Sequence, residues 1–396
     1  MTIRYTLALY GVLTLAAASH GQWTALPDIT MPEFDGGYSF VIDDMIYVGH
    51  GNELRMYDPA AAMWSERADF PGVGASRNGA CSFVVNNKAY VGMGFANGMF
   101  HTDLWQYDPG TNAWSAETSF PGPARGGSGT FVLGGKGYLC GGTSTGPQFA
   151  DVYSYDPESN IWTLETSLPT GNRGFTTAWS VGGYGYVFGG YTGFGNETAQ
   201  VHRYDPVTDS WSAMADYPGG GRQSSLAFVF GTQVIVGMGH VGFTTAGTIF
   251  YQYDTGTNTW APHGDFSGWP GGARIAPVGA VVGSTAYLGT GATLATFTPN
   301  GDWWSNSIAV GLDELESAET RLLVHPVPSG DQVTISWGMN GIGEIALFNT
   351  TGTLVFSTAR TGTSTLLDLS GLPAGPYMAR YRNNEGIVRT GRILKH

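Results

Sequence analysis

Tyr155-Asp156-Pro157-Glu158-Ser159-Asn160-Ile161-Trp162 is the segment that decides the fold, because its two aromatic ends recur along the whole chain. Residues equivalent to Tyr155 are separated by 50, 48, 49, 49 and 44 residues, and a tryptophan follows each of them after seven residues. The six pairs are Tyr57 and Trp64, Tyr107 and Trp114, Tyr155 and Trp162, Tyr204 and Trp211, Tyr253 and Trp260, and Phe297 and Trp304. A period of this length indicates a repeat protein.

A second pattern precedes each of these pairs and ends in closely spaced glycines, as in Tyr138 to Gly142. An arginine stands 13 residues before the first residue of this pattern in five repeats, whereas the first repeat has Phe34 there. The five are Arg77, Arg125, Arg173, Arg222 and Arg274. Each repeat is therefore predicted to form four short strands, which begin after the arginine and end with the tryptophan strand. Four strands per repeat are typical of a β-propeller blade, so the fold class is all-β with six blades.

The way in which the ring closes stays open at this stage. Trp23-Thr24-Ala25-Leu26-Pro27 is similar to the tryptophan strand Trp162-Thr163-Leu164 and is able to complete the last blade. The segment around Trp304, however, is itself predicted to form the outer strand of that blade, so the two segments compete for one position.

The order of arginine, paired glycines, tyrosine and tryptophan resembles the kelch family over about Trp23 to Trp304. This resemblance implies a six-bladed kelch-type β-propeller, for which we set the bounds 22–309. In such folds the arginines and the loops after the glycines open on one face, so we expect the arginines to surround one mouth of the central channel.

The N-terminus has one arginine, Arg4, followed by an apolar run from Tyr5 to Ala18 and small residues. This run is too short to span a bilayer and is typical of a secretory signal peptide, which we assign to 1–21, although cleavage after Ala18 is the alternative. No later segment predicts a transmembrane helix. Cys81 and Cys140 are expected to be buried free thiols, and a single bridge between neighbouring blades is the alternative.

The C-terminal segment alternates apolar and polar residues in short runs, which predicts a small immunoglobulin-like β-sandwich at 322–396 after a linker at 310–321. Its motifs include Leu369-Ser370-Gly371-Leu372-Pro373-Ala374-Gly375-Pro376-Tyr377 and the basic end Arg392 to His396. They resemble the C-terminal sorting domain of the type IX secretion pathway of Bacteroidota, although His325 and Val327 replace the usual tyrosine and asparagine. The resemblance implies contact with the type IX secretion machinery and a secreted, extracellular or outer-membrane surface location. An ordinary accessory module is the alternative.

Charge argues against nucleic acid as a partner. The formal net charge is −13, and residues 22–317 alone contain 10 basic and 26 acidic residues. Half of those basic residues are the five repeat arginines, which are suited to binding a carboxylate or phosphate. The alternative is that each arginine stabilises its own blade through carbonyl groups or a neighbouring acid.

The loops after the glycine pairs are expected to flank the same mouth and to contribute aromatic and polar side chains that suit sugar rings. These are Phe95, Asn97, His101, Tyr191, Phe194, Asn196, His240 and Phe243. We predict a ligand site from the five arginines together with Tyr191 and His240. The sequence has no motif for catalysis, a metal or a cofactor.

These observations favour a secreted or surface module for protein or carbohydrate binding, whose propeller face takes an anionic glycan or protein. The rival is a sugar-modifying enzyme similar to the kelch-type sialic acid mutarotases. A third possibility is that the propeller is a structural spacer.

Overall fold

The computed structural model describes residues 23–31, 36–72, 77–193, 195–242, 245–264, 266, 268–307, 322–325, 331–349, 354–383 and 388–395. The chain divides into two compact units, Met1–Ala309 and Val310–His396. The expected signal peptide and linker, together with Phe34, Phe194 and Phe243, lie outside the described residues. No helix within the described ranges is long and apolar enough to cross a membrane.

The first unit is built from antiparallel sheets that follow the predicted repeats. Strand β1 (Thr24–Leu26) comes first in the chain, and blade 1 then contains β2 (Tyr38–Ile42), β3 (Met45–His50), β4 (Glu53–Asp58) and β5 (Met63–Glu66). Blade 2 contains β6 (Cys81–Val85), β7 (Lys88–Gly92), β8 (Phe95–Ala96), β9 (Met99–Phe100), β10 (Leu104–Asp108) and β11 (Ala113–Glu117). Blade 3 contains β12 (Gly129–Leu133), β13 (Lys136–Cys140), β14 (Val152–Asp156) and β15 (Ile161–Glu165).

Blades 4 to 6 repeat this order. Blade 4 contains β16 (Thr177–Val181), β17 (Tyr184–Phe188), β18 (Val201–Asp205) and β19 (Ser210–Ala213). Blade 5 contains β20 (Gln223–Phe230), β21 (Gln233–Val241), β22 (Thr245–Ala246), β23 (Phe250–Asp254) and β24 (Thr259–Pro262). The sixth repeat contains β25 (Arg274–Ile275), β26 (Val278–Val282), β27 (Thr285–Gly289), β28 (Ala292–Thr293), β29 (Thr298–Pro299) and β30 (Trp303–Ser307). The four main strands of each blade lie in sequence order from the axis outwards, with blade 6 the exception described below.

Burial explains why the repeats have this composition. The innermost strand alternates, with one face toward the axial channel and the other in the core, whereas the second strand is buried on nearly every residue between adjacent blades. Gly137 on β13 shows how closely the blades pack, because a Cβ there would lie 2.2 Å from the ring of Phe83 in the preceding blade.

The two ends of the repeat region build blade 6 together, which settles the closure. Strand β1 pairs with β30, and Ala25 lies opposite Trp304. The Trp23 indole N–H donates to the Phe266 carbonyl at 3.1 Å, as Trp64 donates to Pro27 O at 2.9 Å in the next blade. The N-terminal strand is therefore the outer strand of blade 6, and the ring is closed.

Our alignment of the sixth repeat was wrong as a consequence. Phe297 precedes β29, which belongs to a small extra sheet with β25 and β28, and β30 is the third strand of the blade rather than the fourth. Asn306 lies opposite Ala286 in the register where Tyr155 lies opposite Gly137, so Asn306 is the true counterpart of the repeat tyrosine.

The described strands of the second unit belong to one antiparallel sheet: β31 (Leu323–His325), β32 (Gln332–Phe348), β33 (Leu354–Asp368), β34 (Gly375–Asn383) and β35 (Val388–Lys395). Its core packs Trp337 against Tyr381, with ring centroids 4.8 Å apart. The Lys395 ammonium donates to the carbonyls of Leu369 and Leu372 at 2.6 Å each, so the basic C-terminal end is held against the Leu-Pro-Ala-Gly turn.

Candidate functional site

The repeat arginines lie just before the innermost strands, on the face that carries the paired glycines. Gly142, which has a φ of +109°, donates its N–H to the Arg173 carbonyl of the next blade at 2.8 Å. A Cβ at Gly142 would lie 2.3 Å from Ser128 Oγ of the same blade, and its positive φ also favours glycine at this position. The guanidinium groups do not form an open ring, because Arg77, Arg125 and Arg173 are fully buried and Arg274 is 4% exposed. Arg222 is partly exposed.

In blades 2, 3 and 6, which we term the sister blades, the arginine binds an aspartate that directly precedes the third strand. Arg77 donates to both oxygens of Asp103, at 2.6 and 2.9 Å. Arg274 binds Asp302 in the same two-pronged way, at 2.9 Å for each bond.

The third sister pair is Arg125 and Asp151, and each of the three arginines also donates to a carbonyl of its own blade. This geometry favours the alternative that these arginines stabilise their blades. Their role in ligand binding stays a prediction.

Blades 4 and 5 depart from this arrangement. The position of Asp103 is taken by Gln200 in blade 4 and by Ile249 in blade 5, four residues before the repeat tyrosine in each case. Arg173 Nη2 donates to Gln200 Oε1 at 2.9 Å, and Arg222 Nη2 donates to the Gly219 carbonyl at 2.9 Å. Within the described ranges neither arginine forms an ion pair, and Nε and Nη1 of both are buried without a hydrogen-bond partner. Two guanidinium groups in adjacent blades therefore lack the carboxylate that balances their counterparts.

A polar group lies at the border between blades 4 and 5, where the Arg222 backbone N–H donates to the Thr198 carbonyl at 3.3 Å. Glu197 Oε1 accepts hydrogen bonds from Gln223 Nε2 at 3.0 Å and from the Gly242 N–H at 2.7 Å. The other carboxylate oxygen, Oε2, is buried and has no hydrogen-bond partner among the residues that the structure describes. These two hydrogen bonds hold the Glu197 carboxylate in one orientation, and Oε2 is its oxygen that accepts no hydrogen bond from the described residues.

His240 completes this group, because it lies directly opposite Gln223 in the β20–β21 pair. Burial lowers the pKa of His240 to about 4, although the nearby Glu197 carboxylate acts in the opposite direction. The imidazole is therefore neutral at pH 7. We refer to Tyr191, Glu197, Arg222, Gln223 and His240 as the blade 4–5 site.

Tyr191 is joined to this group through an isolated antiparallel β-bridge with Glu197. Its hydroxyl is 3.0 Å from Thr143 Oγ1, and its ring stacks on Phe175 with centroids 6.1 Å apart. Phe175 has a φ of +53°, a conformation that bulky residues rarely adopt. Its counterparts in the other blades also have a positive φ, so the repeat requires this conformation: they are Gly36, Gly79, Gly127, Ser224 and Ala276.

Phe175 belongs to a ring of backbone hydrogen bonds around the axis. Its N–H donates to Gly127 O at 2.7 Å, Gly127 donates to Gly79 O, Gly79 donates to Gly36 O, and the Ser224 N–H donates to Phe175 O. These bonds join successive blades around the channel on this face. Between the innermost strands the channel holds a cavity of ≈ 280 Å³ lined largely by small and hydroxyl-bearing residues.

Of the seven residues that we predicted, the four buried arginines lie in separate blades. Tyr191 pairs with Glu197 in an isolated β-bridge and His240 lies opposite Gln223, whereas the Arg222 guanidinium donates to the Gly219 carbonyl of its own blade. That these residues share one ligand stays a prediction. Sequence reasoning missed Glu197, Gln200 and Gln223. Comparing the residue four positions before the repeat tyrosines of blades 2 to 5 would have separated Gln200 and Ile249 from Asp103 and Asp151.

The other predicted loop residues lie elsewhere. Phe95 belongs to the β8–β9 hairpin of blade 2, where its ring packs on Phe100 at 5.0 Å and remains 38% exposed. His101 Nε2 is 3.2 Å from the Ala96 carbonyl of the same hairpin.

Two kinds of chemistry find no support in the described residues. No cluster of three or more His, Cys, Asp or Glu side chains there is arranged to hold a metal ion. Cys81 and Cys140 are buried free thiols, and burial raises the pKa of both.

Comparison with known proteins agrees with the architecture. Residues 124–169 and 173–216 match the kelch motif, and residues 323–395 match the secretion system C-terminal sorting domain. The solved structure described as "Structure of YjhT" is similar with a TM-score of 0.61 at 20% identity, over 70% of this chain and 96% of that chain. A search of curated protein sequences found no match.

The sorting domain indicates export to the cell surface or the extracellular space. The chain is a kelch-repeat β-propeller protein with a C-terminal sorting domain of the type IX secretion system.

Proposed function

We propose that this exported protein is a binding module whose propeller takes an anionic glycan or protein ligand at the blade 4–5 site. The observation that carries the proposal is Arg222, a partly exposed residue that lacks the aspartate of the sister blades and has two buried N–H groups, Nε and Nη1, without a hydrogen-bond partner among the described residues. A guanidinium in this state is suited to a carboxylate, sulfate or phosphate, which it binds through paired hydrogen bonds.

Charge supports the choice of this arginine. The propeller is acidic overall, so an anion is repelled by most of its surface and binds only where a local cation dominates. Among the five repeat arginines, Arg222 is the one with partial exposure, and its acidic counterpart position holds Ile249, which is itself 49% exposed.

The surroundings favour a glycan over a protein as the anionic ligand. Tyr191 and Phe175 present stacked rings, which suit the apolar face of a sugar.

The test uses Ile249→Asp, which supplies the missing carboxylate to Arg222. The full chain is first screened on an array of sialylated, uronic-acid and sulfated glycans, and the affinity of the best one is measured by calorimetry. Ile249→Asp is expected to weaken binding at least tenfold while the melting temperature is unchanged or higher, because the new side chain competes for Arg222. Ile249→Asn, which has the same size without the charge, is the matched control and should retain most of the affinity. Equal affinity of Ile249→Asp and the natural chain would reject the site.

A sugar-modifying enzyme is the second candidate function, and the Glu197 carboxylate is the observation that favours it. Glu197 has one buried oxygen without a partner among the described residues and influences the nearby neutral His240, a pair of groups of the kind that serves as general acid and base once a substrate displaces the packing over them. NMR exchange between the anomers of N-acetylneuraminic acid separates the two candidates. Acceleration that is lost in Glu197→Gln supports the enzyme, whereas binding without acceleration supports the module alone.

A further inference from the structure

A recurring contact, which we term the outer clasp, joins the outer strands of neighbouring blades. In blade 2 the Asn112 side-chain oxygen accepts hydrogen bonds from the Tyr107 hydroxyl at 2.8 Å and from the Ala68 N–H of blade 1 at 2.9 Å. The Trp114 indole N–H donates to the carbonyl of the same Ala68 at 2.8 Å. Blades 3, 4 and 5 repeat the clasp on the blade before them, through Asn160 with Thr118, Asp209 with Thr166 and Asn258 with Ala215. The clasp therefore joins blades 1 to 5 in series.

The seam between blades 6 and 1 keeps only part of the clasp. The Trp64 indole N–H donates to the Pro27 carbonyl at 2.9 Å, but proline has no N–H. The residue two positions before Trp64 is Ala62, whose side chain has no acceptor. Ala62 nevertheless has a φ of +52°, close to the +50° of Asn112, although alanine adopts this conformation less readily than asparagine. The side-chain acceptor and the backbone donor are thus missing together at this seam.

The seam between blades 5 and 6 also lacks the clasp. The residue two positions before Trp23 is Gly21, which has no side chain. The Trp23 indole N–H donates to the Phe266 carbonyl, six residues after Trp260, whereas the clasp carbonyls of the other seams come four residues after a tryptophan. Among the described residues, blade 6 is therefore the blade without a complete clasp on either side.

Blade 6 also differs in its connectivity. In the other five blades a turn joins the third strand to the outer strand, whereas β30 and β1 come from opposite ends of the propeller. Three residues of β1 pair with β30. Trp23 anchors this strand, because it is 6% exposed and lies edge-on to Phe266 and Trp269, with ring centroids 5.2 and 6.4 Å apart. Withdrawal of one tryptophan and one short strand costs less than global unfolding, so β1 is able to leave while blades 1 to 5 stay joined.

We propose that blade 6 is a strand-exchange site, at which β1 leaves β30 reversibly and β1 of a second copy of this chain takes its place. Once β1 has left, one edge of β30 presents unpaired N–H and C=O groups, with which another strand pairs through its backbone. The Phe266 and Trp269 rings then select a strand that a tryptophan directly precedes, as Trp23 precedes Thr24. The same strand of another copy meets both requirements, and exchange of an identical element is a low-cost route to a dimer. This inference does not depend on the proposed function, because blade 6 contributes no residue to the blade 4–5 site.

Hydrogen exchange of the full chain, followed by mass spectrometry, tests the opening. Strands β30 and β14 are both third strands that pair on two sides, so they form a matched pair. The amides of β30 should exchange at least tenfold faster than those of β14.

Mixing tests the exchange between copies. Two preparations of the full chain, labelled with a donor and an acceptor dye, are incubated together and followed by energy transfer and size-exclusion chromatography. Energy transfer should develop together with a dimer whose fraction rises with protein concentration. An excess of a synthetic peptide of residues 22–31 should suppress the transfer, whereas the same peptide with Trp23→Ala should be at least tenfold less effective.

Pro27→Ala combined with Ala62→Asn is the decisive variant, because together they supply the donor and the acceptor of the missing clasp. The pair should slow exchange of the β30 amides about fivefold and slow the energy transfer to a similar extent. Pro27→Ala alone supplies the N–H without its acceptor and should slow neither. Asn112→Ala removes the clasp between blades 1 and 2 and should leave β30 as it is in the natural chain.

Two results in the natural chain alone would overturn the proposal, so it does not depend on the folding of a variant. Equal exchange rates of β30 and β14 would contradict the opening of blade 6. Rapid exchange at β30 without any energy transfer between mixed copies would contradict the uptake of a second copy's strand. An unchanged β30 rate in the folded double variant would show that the missing clasp is not the cause.

Discussion

The strongest quantitative expectation concerns Asp151→Asn, which removes the negative charge opposite the buried Arg125 guanidinium. Loss of one partner from a buried ion pair costs about 3–5 kcal/mol, because the other charge remains buried. The Asp151 side chain is 24% exposed, so water screens part of this and about 2–3 kcal/mol is expected. For a folded unit of the size of this propeller, each loss of about 0.6 kcal/mol in the free energy of unfolding lowers the melting temperature by about 1 °C. The substitution should therefore lower the melting temperature by about 3–5 °C.

Differential scanning calorimetry and urea unfolding at pH 7 measure this change. Asp156→Asn is the matched control in the same blade, because Asp156 Oδ1 accepts from the Glu158 N–H at 2.9 Å in an exposed turn and an asparagine oxygen is able to do the same. The control should shift the melting temperature by less than about 1 °C. If both variants lose the same stability, or if Asp151→Asn loses none, Arg125 does not stabilise its blade in the way inferred.

Three further outcomes are expected. Burial lowers the pKa of both His202 and His240 to about 4, whereas in the unfolded chain both titrate near the ordinary value of about 6.5. Because the unfolded chain then binds protons first, the free energy of unfolding should fall as pH decreases from 6.5 toward 4, by up to about 3 kcal/mol for each histidine. A urea midpoint that does not change between pH 7 and pH 4.5 would contradict this. Gly137→Ala should destabilise the propeller by about 1–3 kcal/mol through overpacking, whereas Gly146→Ala, which faces open space, should be neutral in the same calorimetric scan. Deletion of 322–396 should trap the propeller in the periplasm, as judged by cell fractionation, and normal export of the truncated chain would argue against a sorting role.

The sequence by itself determined the repeat architecture and the export tag. Tyr155 and Trp162 recur because every blade must fill the same wedge between neighbouring sheets, so each repeat carries the local pattern that forms its strands. The kelch motif and the sorting domain were predicted for the same reason, since their residues are close together in the chain.

Only the tertiary structure decided which residues meet across repeats. It placed Thr24–Leu26 beside Trp303–Ser307, nearly the whole propeller away in sequence, and so closed the ring. It also distinguished Arg125, which an aspartate balances, from Arg222, which the described residues leave without one, although both occupy the same repeat position. The physical reason is that strand formation depends on neighbouring residues, whereas the ionic partner of a buried guanidinium is set by contacts between strands that folding alone brings together.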